Sequence, residues 1–200
     1  MKRCFDLFMV LVTSPLWASL LSAVIIVSKI ADPKGKIFFI QKRLGKNGKL
    51  FSCYKIRSMF SKDGILEEYF NNNKDELEYY QKYRKLRFDP RITKLGRVLR
   101  KTSLDELPQL FNVILGDMSL VGPRPYIPSE VTNIDKEIMQ AILSVRPGIT
   151  GLWQISGRSS LSFEKRVKLD MQYIKNRNFW FDVKIFFITF YVVLVQKGSV

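Results

Sequence analysis

The sequence predicts an α+β fold, mostly helical, with a membrane-embedded helix at its start followed by one short β-hairpin. Three observations carry that expectation. An apolar run from Leu7 to Val27 is interrupted by Ser14-Pro15, and two β-rich runs flank the turn-forming Gly45-Lys-Asn-Gly48. The rest alternates charged helical stretches with loops punctuated by Gly and Pro.

Residues 1–31 reach the roughly 20 apolar residues that a bilayer crossing requires. A signal peptide fits poorly, because the run exceeds an ordinary signal core and Asp6 interrupts its start. A simple crossing also fits poorly. Pro15 breaks the helix, and basic residues flank both ends: Lys2 and Arg3 before the run, and Lys29, Lys34, Lys36, Lys42 and Arg43 after it. A helix that enters at one face, bends at Ser14-Pro15 and returns to the same face satisfies both flanks. The expected division is a re-entrant membrane helix over 1–31 and a catalytic domain over 32–200.

Ile37–Gln41 and Leu50–Arg57 then read as a hairpin, with Lys55 and Arg57 on one strand face. Glu67–Arg87 reads as a surface helix that ends before Asp89-Pro90, and Ile92–Lys101 as a short basic amphipathic helix. Two punctuated loops follow, Gly116–Pro125 and Arg146–Arg158, each either a surface turn or a ligand loop. The aromatic stretch Phe179–Val195 has an uncharged part too short to span a bilayer. It suits an interfacial helix or a core helix.

The charge balance narrows the chemistry. The 200 residues hold 33 Lys and Arg against 18 Asp and Glu, a net charge of +15, so the partner is anionic. Histidine is absent, which excludes imidazole acid–base catalysis, Ser-His-Asp triads and His-ligated metals. The two cysteines, Cys4 and Cys53, form no disulfide framework and no metal spacing. Acid–base, nucleophilic or metal chemistry therefore falls most naturally to Asp and Glu.

Lys101–Asn112 is where such chemistry concentrates. Asp105 and Glu106 are adjacent, with Arg97 and Arg100 before them and Arg124 after, in Gly122-Pro-Arg-Pro125. Paired carboxylates among guanidiniums suit a phosphate and a divalent cation: arginine forks hold phosphoryl oxygens, and a carboxylate ligates Mg²⁺ or attacks phosphorus. Ser103-Leu-Asp-Glu106 also has the spacing of a capping box, and that reading is compatible with the first.

In order along the chain, Lys2–Asp6, Ser14-Pro15, Phe39–Gly45, Tyr54–Met59, Asp89–Gly96, Thr102–Asn112, Gly116–Pro125 and Arg146–Gly151 resemble the bacterial sugar transferases. These are the monotopic polyprenyl-phosphate phosphoglycosyl transferases, here in their small catalytic-domain-only form. The match runs over nearly the whole chain and is weakest in roughly 62–86. The resemblance implies transfer of a sugar 1-phosphate from a UDP-sugar to polyprenyl (undecaprenyl) phosphate, with release of UMP, as the first membrane step of surface glycoconjugate synthesis. It implies Asp105 as a nucleophile forming a phosphosugar intermediate, Glu106 completing the dyad, and both holding Mg²⁺. Lys55, Arg100, Arg124 and Arg146 match basic positions that bind phosphate or carboxylate, with Arg124 held rigid by its prolines.

The same resemblance places the enzyme on the cytoplasmic face of the bacterial inner membrane, in contact with membrane lipids, and leaves a homodimer open. Gly151–Arg158 and Phe163–Asp170 are closer to members using UDP-galactose or UDP-glucose than to those using N-acetylated sugars. Two other classes compete. A nucleic-acid-binding module would leave the apolar ends unexplained, so no nucleic acid is expected. A membrane scaffold without chemistry would gain little from a carboxylate pair among rigid arginine loops.

Overall fold

The computed structural model describes residues 1–60, 64–83, 86–132, 134–157 and 161–195; Arg158 of the second expected loop lies outside them. The apolar start is two helices, α1 (Lys2–Val12) and α2 (Ser14–Ala31), meeting at Thr13. Pro15 sits in the first turn of α2, where its missing N–H costs nothing. The bend would leave the Val10 carbonyl without a helical donor, and the Trp17 indole supplies one at 2.9 Å. By length and composition α2 could cross a membrane; Leu16, Leu20, Ile26, Val27 and Ile30 are all exposed.

Polar bonds fasten α1 to the rest of the chain. Arg3 donates to the carbonyls of Val113 and Ile114. The buried Asp6 carboxylate accepts the Ser119 hydroxyl at 2.8 Å and the Leu120 N–H at 3.2 Å. Val10 then enters the main core with Phe51, Cys53, Val113 and Met118. From α2, Leu21 and Val24 pack on Ile56 and Leu99 in a second cluster.

The hairpin forms as expected and slightly longer. Strand β1 (Phe38–Leu44) pairs antiparallel with β2 (Leu50–Ile56), from Phe38 opposite Ile56 to Leu44 opposite Leu50. Asn47 and Gly48 take the left-handed backbone that closes it. The expected surface helix is two shorter ones, α3 (Ile65–Asn72) and α4 (Lys74–Tyr83), broken at Asn73. Helix α5 (Lys94–Thr102) starts with the Thr93 hydroxyl accepting Gly96 N–H at 2.8 Å.

Helix α6 (Gln109–Leu115) ends at Gly116, in left-handed geometry. The two punctuated loops each contain a three-residue strand, β3 (Ser119–Val121) and β4 (Gly148–Thr150), and these pair in parallel. Between them lies α7 (Lys136–Leu143), capped by Asp135. After β4 come α8 (Leu152–Ile155), α9 (Phe163–Asn176) and α10 (Phe179–Leu194).

The core-helix reading of the last stretch holds for one face of α10. Ile185 and Phe186 are buried in the core, while Trp180, Phe187, Phe190 and Tyr191 form an exposed aromatic stripe. The described residues are mostly helical with two small two-stranded sheets, which fits α+β.

Candidate active site

The dyad sits on a tight turn rather than at the start of a long helix. Ser103 adopts left-handed geometry and terminates α5, and Leu104–Glu106 form a single 3₁₀ turn in which the Ser103 side chain makes no capping bond. The capping-box reading therefore fails. The box needs an extended cap residue leading into a helix, and here the chain is already leaving one. Pro108 then opens α6.

Two contacts set the turn against the hairpin. The buried Asn112 of α6 gives its side-chain N–H to Ser52 O at 2.8 Å and accepts Tyr54 N–H at 3.1 Å, bonding to the free edge of β2 as another strand would. One residue beyond Tyr54, the Lys55 ammonium meets Glu106 Oε1 at 2.6 Å. On the α5 side, Arg100 Nε donates to Ser58 Oγ at 2.9 Å. Gly96 lies so close to Ser58 that an added Cβ would strike its carbonyl.

These elements surround a cavity of about 720 Å³. Among the described residues its lining carries seven cationic side chains (Arg43, Lys55, Arg57, Arg91, Arg100, Arg124, Arg166) against three carboxylates (Asp89, Asp105, Glu106), which favours an anionic occupant. Some of that charge is answered locally. Arg91 binds Asp89 through two nitrogens, and Arg57 reaches Asp32 at 2.6 Å.

Asp105 is 7% exposed. Burial first, then the charge of Glu106, push its carboxyl up to about 6, against the pull of Lys55 and Arg100. Its carboxyl is thus poorly hydrated.

Arg124 is held as its Pro-Arg-Pro setting suggested. Its backbone N–H donates to Asp170 at 3.2 Å, and its guanidinium reaches Glu130 at 3.3 Å. The loop beneath it packs backbone on backbone: Gly148 N–H donates to Pro123 O at 2.8 Å, and a Cβ on Gly122 would meet the Arg146 carbonyl.

Four of the five expected cationic or acidic partners of Asp105 thus meet around one cavity: Glu106, Lys55, Arg100 and Arg124. Arg146 does not join them. Its side chain is directed to the opposite end of α6, where Nε donates to Gly116 O at 2.7 Å, and it lines a separate cavity beside Lys2 and Arg3. The β4 strand starts two residues later, and its tight packing on β3 turns the arginine outward. Arg43 and Arg166, which line the main cavity, had no local sign of that role, since each reaches it only through tertiary packing; Trp153, which also lines it, lies in the second punctuated loop, for which a ligand loop was one of the two readings.

The chemistry of the dyad is compatible with Mg²⁺. Two neighbouring carboxylates raise each other's cost of ionisation, which a divalent cation relieves. No group of three or more Asp, Glu, Cys or His ligands gathers among the described residues. An ion here would therefore rest on one or two carboxylates plus substrate phosphates, the usual arrangement for Mg²⁺.

A buried carboxylate beside a second one, in a cavity with a cationic lining, is an arrangement suited to phosphoryl transfer. The family model described as "Bacterial sugar transferase" matches residues 1–196, and the chain belongs to that family. It is 44% identical over 199 residues to the exopolysaccharide production protein ExoY of Rhizobium meliloti, covering 99% of this chain and 87% of the relative. It is 42% identical to the undecaprenyl-phosphate galactose phosphotransferase of Salmonella typhimurium, covering 100% of this chain and 41% of that protein. The undecaprenyl-phosphate glucose phosphotransferase of Komagataeibacter xylinus is 38% identical, with 94% and 35% covered.

Proposed function

We propose that this chain transfers a sugar 1-phosphate from a UDP-sugar to undecaprenyl phosphate, releasing UMP. The observation that carries the reading is the buried Asp105 beside the Lys55–Glu106 pair, in a cavity lined by seven cations among the described residues. An ionised, poorly hydrated carboxylate is a competent nucleophile toward phosphorus. Its oxygen forms a bond to the sugar-linked phosphorus; the bond to the nucleotide phosphate breaks, and its electron pair leaves with UMP. The lipid phosphate then attacks the same phosphorus and restores the carboxylate. Glu106 takes the proton of the lipid phosphate, and Lys55 orients Glu106 for that task.

Mg²⁺, held by Asp105 and Glu106, would supply neutralisation of the donor's diphosphate. Relatives named for galactose and glucose, together with the Leu152-Trp-Gln154 sequence, favour UDP-galactose or UDP-glucose as donor over an N-acetylated sugar.

The lipid substrate places the site at a membrane surface. Dyad and bilayer are linked by α6, whose Phe111, Ile114 and Leu115 are exposed and whose Phe111 ring packs edge-on to Trp17 at 5.5 Å. We read α1 and α2 as a re-entrant pair on the cytoplasmic face of the inner membrane, with the aromatic stripe of α10 lying along the interface. The polar anchors support this: Lys2 at one end binds Val121 O and Asp182, and Asp32 at the other binds Arg57.

The test is UMP release by detergent-purified protein with Mg²⁺, undecaprenyl phosphate and a panel of UDP-sugars. Asp105→Asn should fall about a thousandfold or more. Near-normal turnover in that variant would remove the nucleophile assignment, and no UMP from any donor would favour a membrane scaffold.

A further inference from the structure

Beside the dyad, the cavity carries a second charged pole for which the steps above have no use. Arg43 reaches it from β1, Arg124 from the Pro-Arg-Pro loop and Arg166 from α9. Trp153 lies against two of them, its ring centroid 5.6 Å from Arg124 Cζ and 5.3 Å from Arg166 Cζ. Arg43 is 8% exposed and Arg166 9%.

Most of their bonds go to neutral acceptors. Arg43 donates to Pro125 O at 2.8 Å and to Gln41 Oε1 at 2.6 Å, and Arg166 to Leu161 O at 3.2 Å. The facing carboxylates are few. Glu130 binds Arg124 and stands 3.9 Å from Arg43, and Asp170 is bonded to Tyr126 and the Arg124 backbone.

This leaves charge and donors without answer. Burial, and next the charge of Arg124, pull both Arg43 and Arg166 below the ordinary arginine range. Arg43 Nε, Arg124 Nε and Trp153 Nε1 are buried and find no acceptor among the described residues. Guanidiniums serving only to fasten α9 to the hairpin would turn such donors to carbonyls, because each buried donor left unpaired costs about 1–3 kcal/mol. Three unpaired donors on residues lining one cavity, with surplus positive charge, are instead suited to a phosphate monoester dianion.

We propose that Arg43, Arg124, Arg166 and Trp153 form a leaving-group pocket, which holds the nucleotide's phosphate while Asp105 attacks the sugar-linked phosphorus. The inference rests on the transferase reading. When the bond between the two phosphates breaks, the electron pair passes to the nucleotide phosphate and its charge rises. Guanidiniums fixed around that phosphate bind it more strongly as the charge develops, so the pocket accelerates the first displacement and retains UMP as product. The lipid's phosphate is the same chemical class, and the experiment separates the two.

UMP affinity is measured on the detergent-purified full chain by calorimetry and as a product-inhibition constant, with the KM for undecaprenyl phosphate measured alongside. Arg166→Met should weaken UMP at least tenfold, Arg166→Lys should recover part of the loss, and the lipid KM should move less than twofold. Trp153→Phe keeps a ring, removes one donor and should weaken UMP about threefold; it carries the test where Arg166→Met fails to fold. Unchanged UMP affinity overturns the proposal, and a raised lipid KM with UMP unchanged gives the pocket to the lipid. If wild type neither binds UMP nor releases it, the transferase reading itself falls. Turnover in wild type with UMP affinity intact in the variants sinks the pocket alone.

Discussion

The Lys55 ammonium stands 2.6 Å from Glu106 Oε1, joining the cavity face of β2 to the turn that carries the dyad. Both side chains are partly exposed, so the pair adds little to stability. Its effect is on position: it keeps the Glu106 carboxylate oriented beside Asp105 in the cavity lining. Lys55→Met should cut kcat for UMP release by about 10–100-fold, the worth of one charged hydrogen bond, with the unfolding temperature nearly unchanged. A large loss of stability with normal kcat in the folded fraction would make the pair a structural clip instead.

Asn112 holds that geometry from behind, through its bonds to Ser52 O and Tyr54 N–H. It is fully buried, and truncation would leave two backbone groups of β2 unpaired. Asn112→Ala should cost about 2–4 kcal/mol, from two such groups at 1–3 kcal/mol each, and should lower turnover as Lys55 and Glu106 drift apart. Thermal unfolding in detergent, paired with the UMP assay, reads both effects.

Much of this arrangement was legible in the sequence where a local chemical rule applied. Pro15 announced the break between α1 and α2, Asn47-Gly48 the hairpin turn, and the prolines around Arg124 a fixed arginine. Where long-range packing decided, the sequence was silent or misleading. Strands β3 and β4 have three residues each and pair across an intervening helix, so no periodicity marks them. Ser103-x-x-Glu106 has the spacing of a capping box, yet Ser103 closes α5 in left-handed geometry. Arg43 and Arg166 look like ordinary surface charges until folding brings them against Trp153 and the Arg124 loop.

Asp170 makes stability depend on pH. It is fully buried, accepts bonds from Tyr126 OH at 2.7 Å and Arg124 N–H, and keeps Oδ1 unpaired among the described residues. Burial pushes its carboxyl up to about 7 from an ordinary 3.8. The folded state therefore binds the proton more tightly than the unfolded chain. The resulting stabilisation is complete below about pH 4 and is lost as pH rises through 7, a swing of up to about 4 kcal/mol. Unfolding followed from pH 5 to 8 should show wild type losing stability over that range from this group. Asp170→Asn should flatten that slope, and an unchanged slope would show that another group causes it.

The two cysteines allow the path of the N-terminal helices to be tested directly. Cys4 is exposed on α1, and Cys53 is buried within strand β2 of the hairpin, so an impermeant thiol reagent reports on Cys4 alone. Residues on either side of Cys4 are bonded to the catalytic body: Lys2 to Asp182 and Val121 O, Arg3 to the end of α6, and Asp6 to Ser119 and Leu120. At the far end of the apolar segment, Asp32 is bonded to Arg57 of the same body. A helix crossing the membrane would have to break one of these sets, at the cost of stranding the buried Asp6. Cys4 should therefore label from the same side as a cysteine introduced by Lys136→Cys, an exposed position on α7. In sealed right-side-out vesicles neither should react until the membrane is opened. Labelling of Cys4 alone in intact vesicles would mean that α2 crosses the bilayer, and would require the contacts of Lys2, Arg3 and Asp6 to open in the membrane.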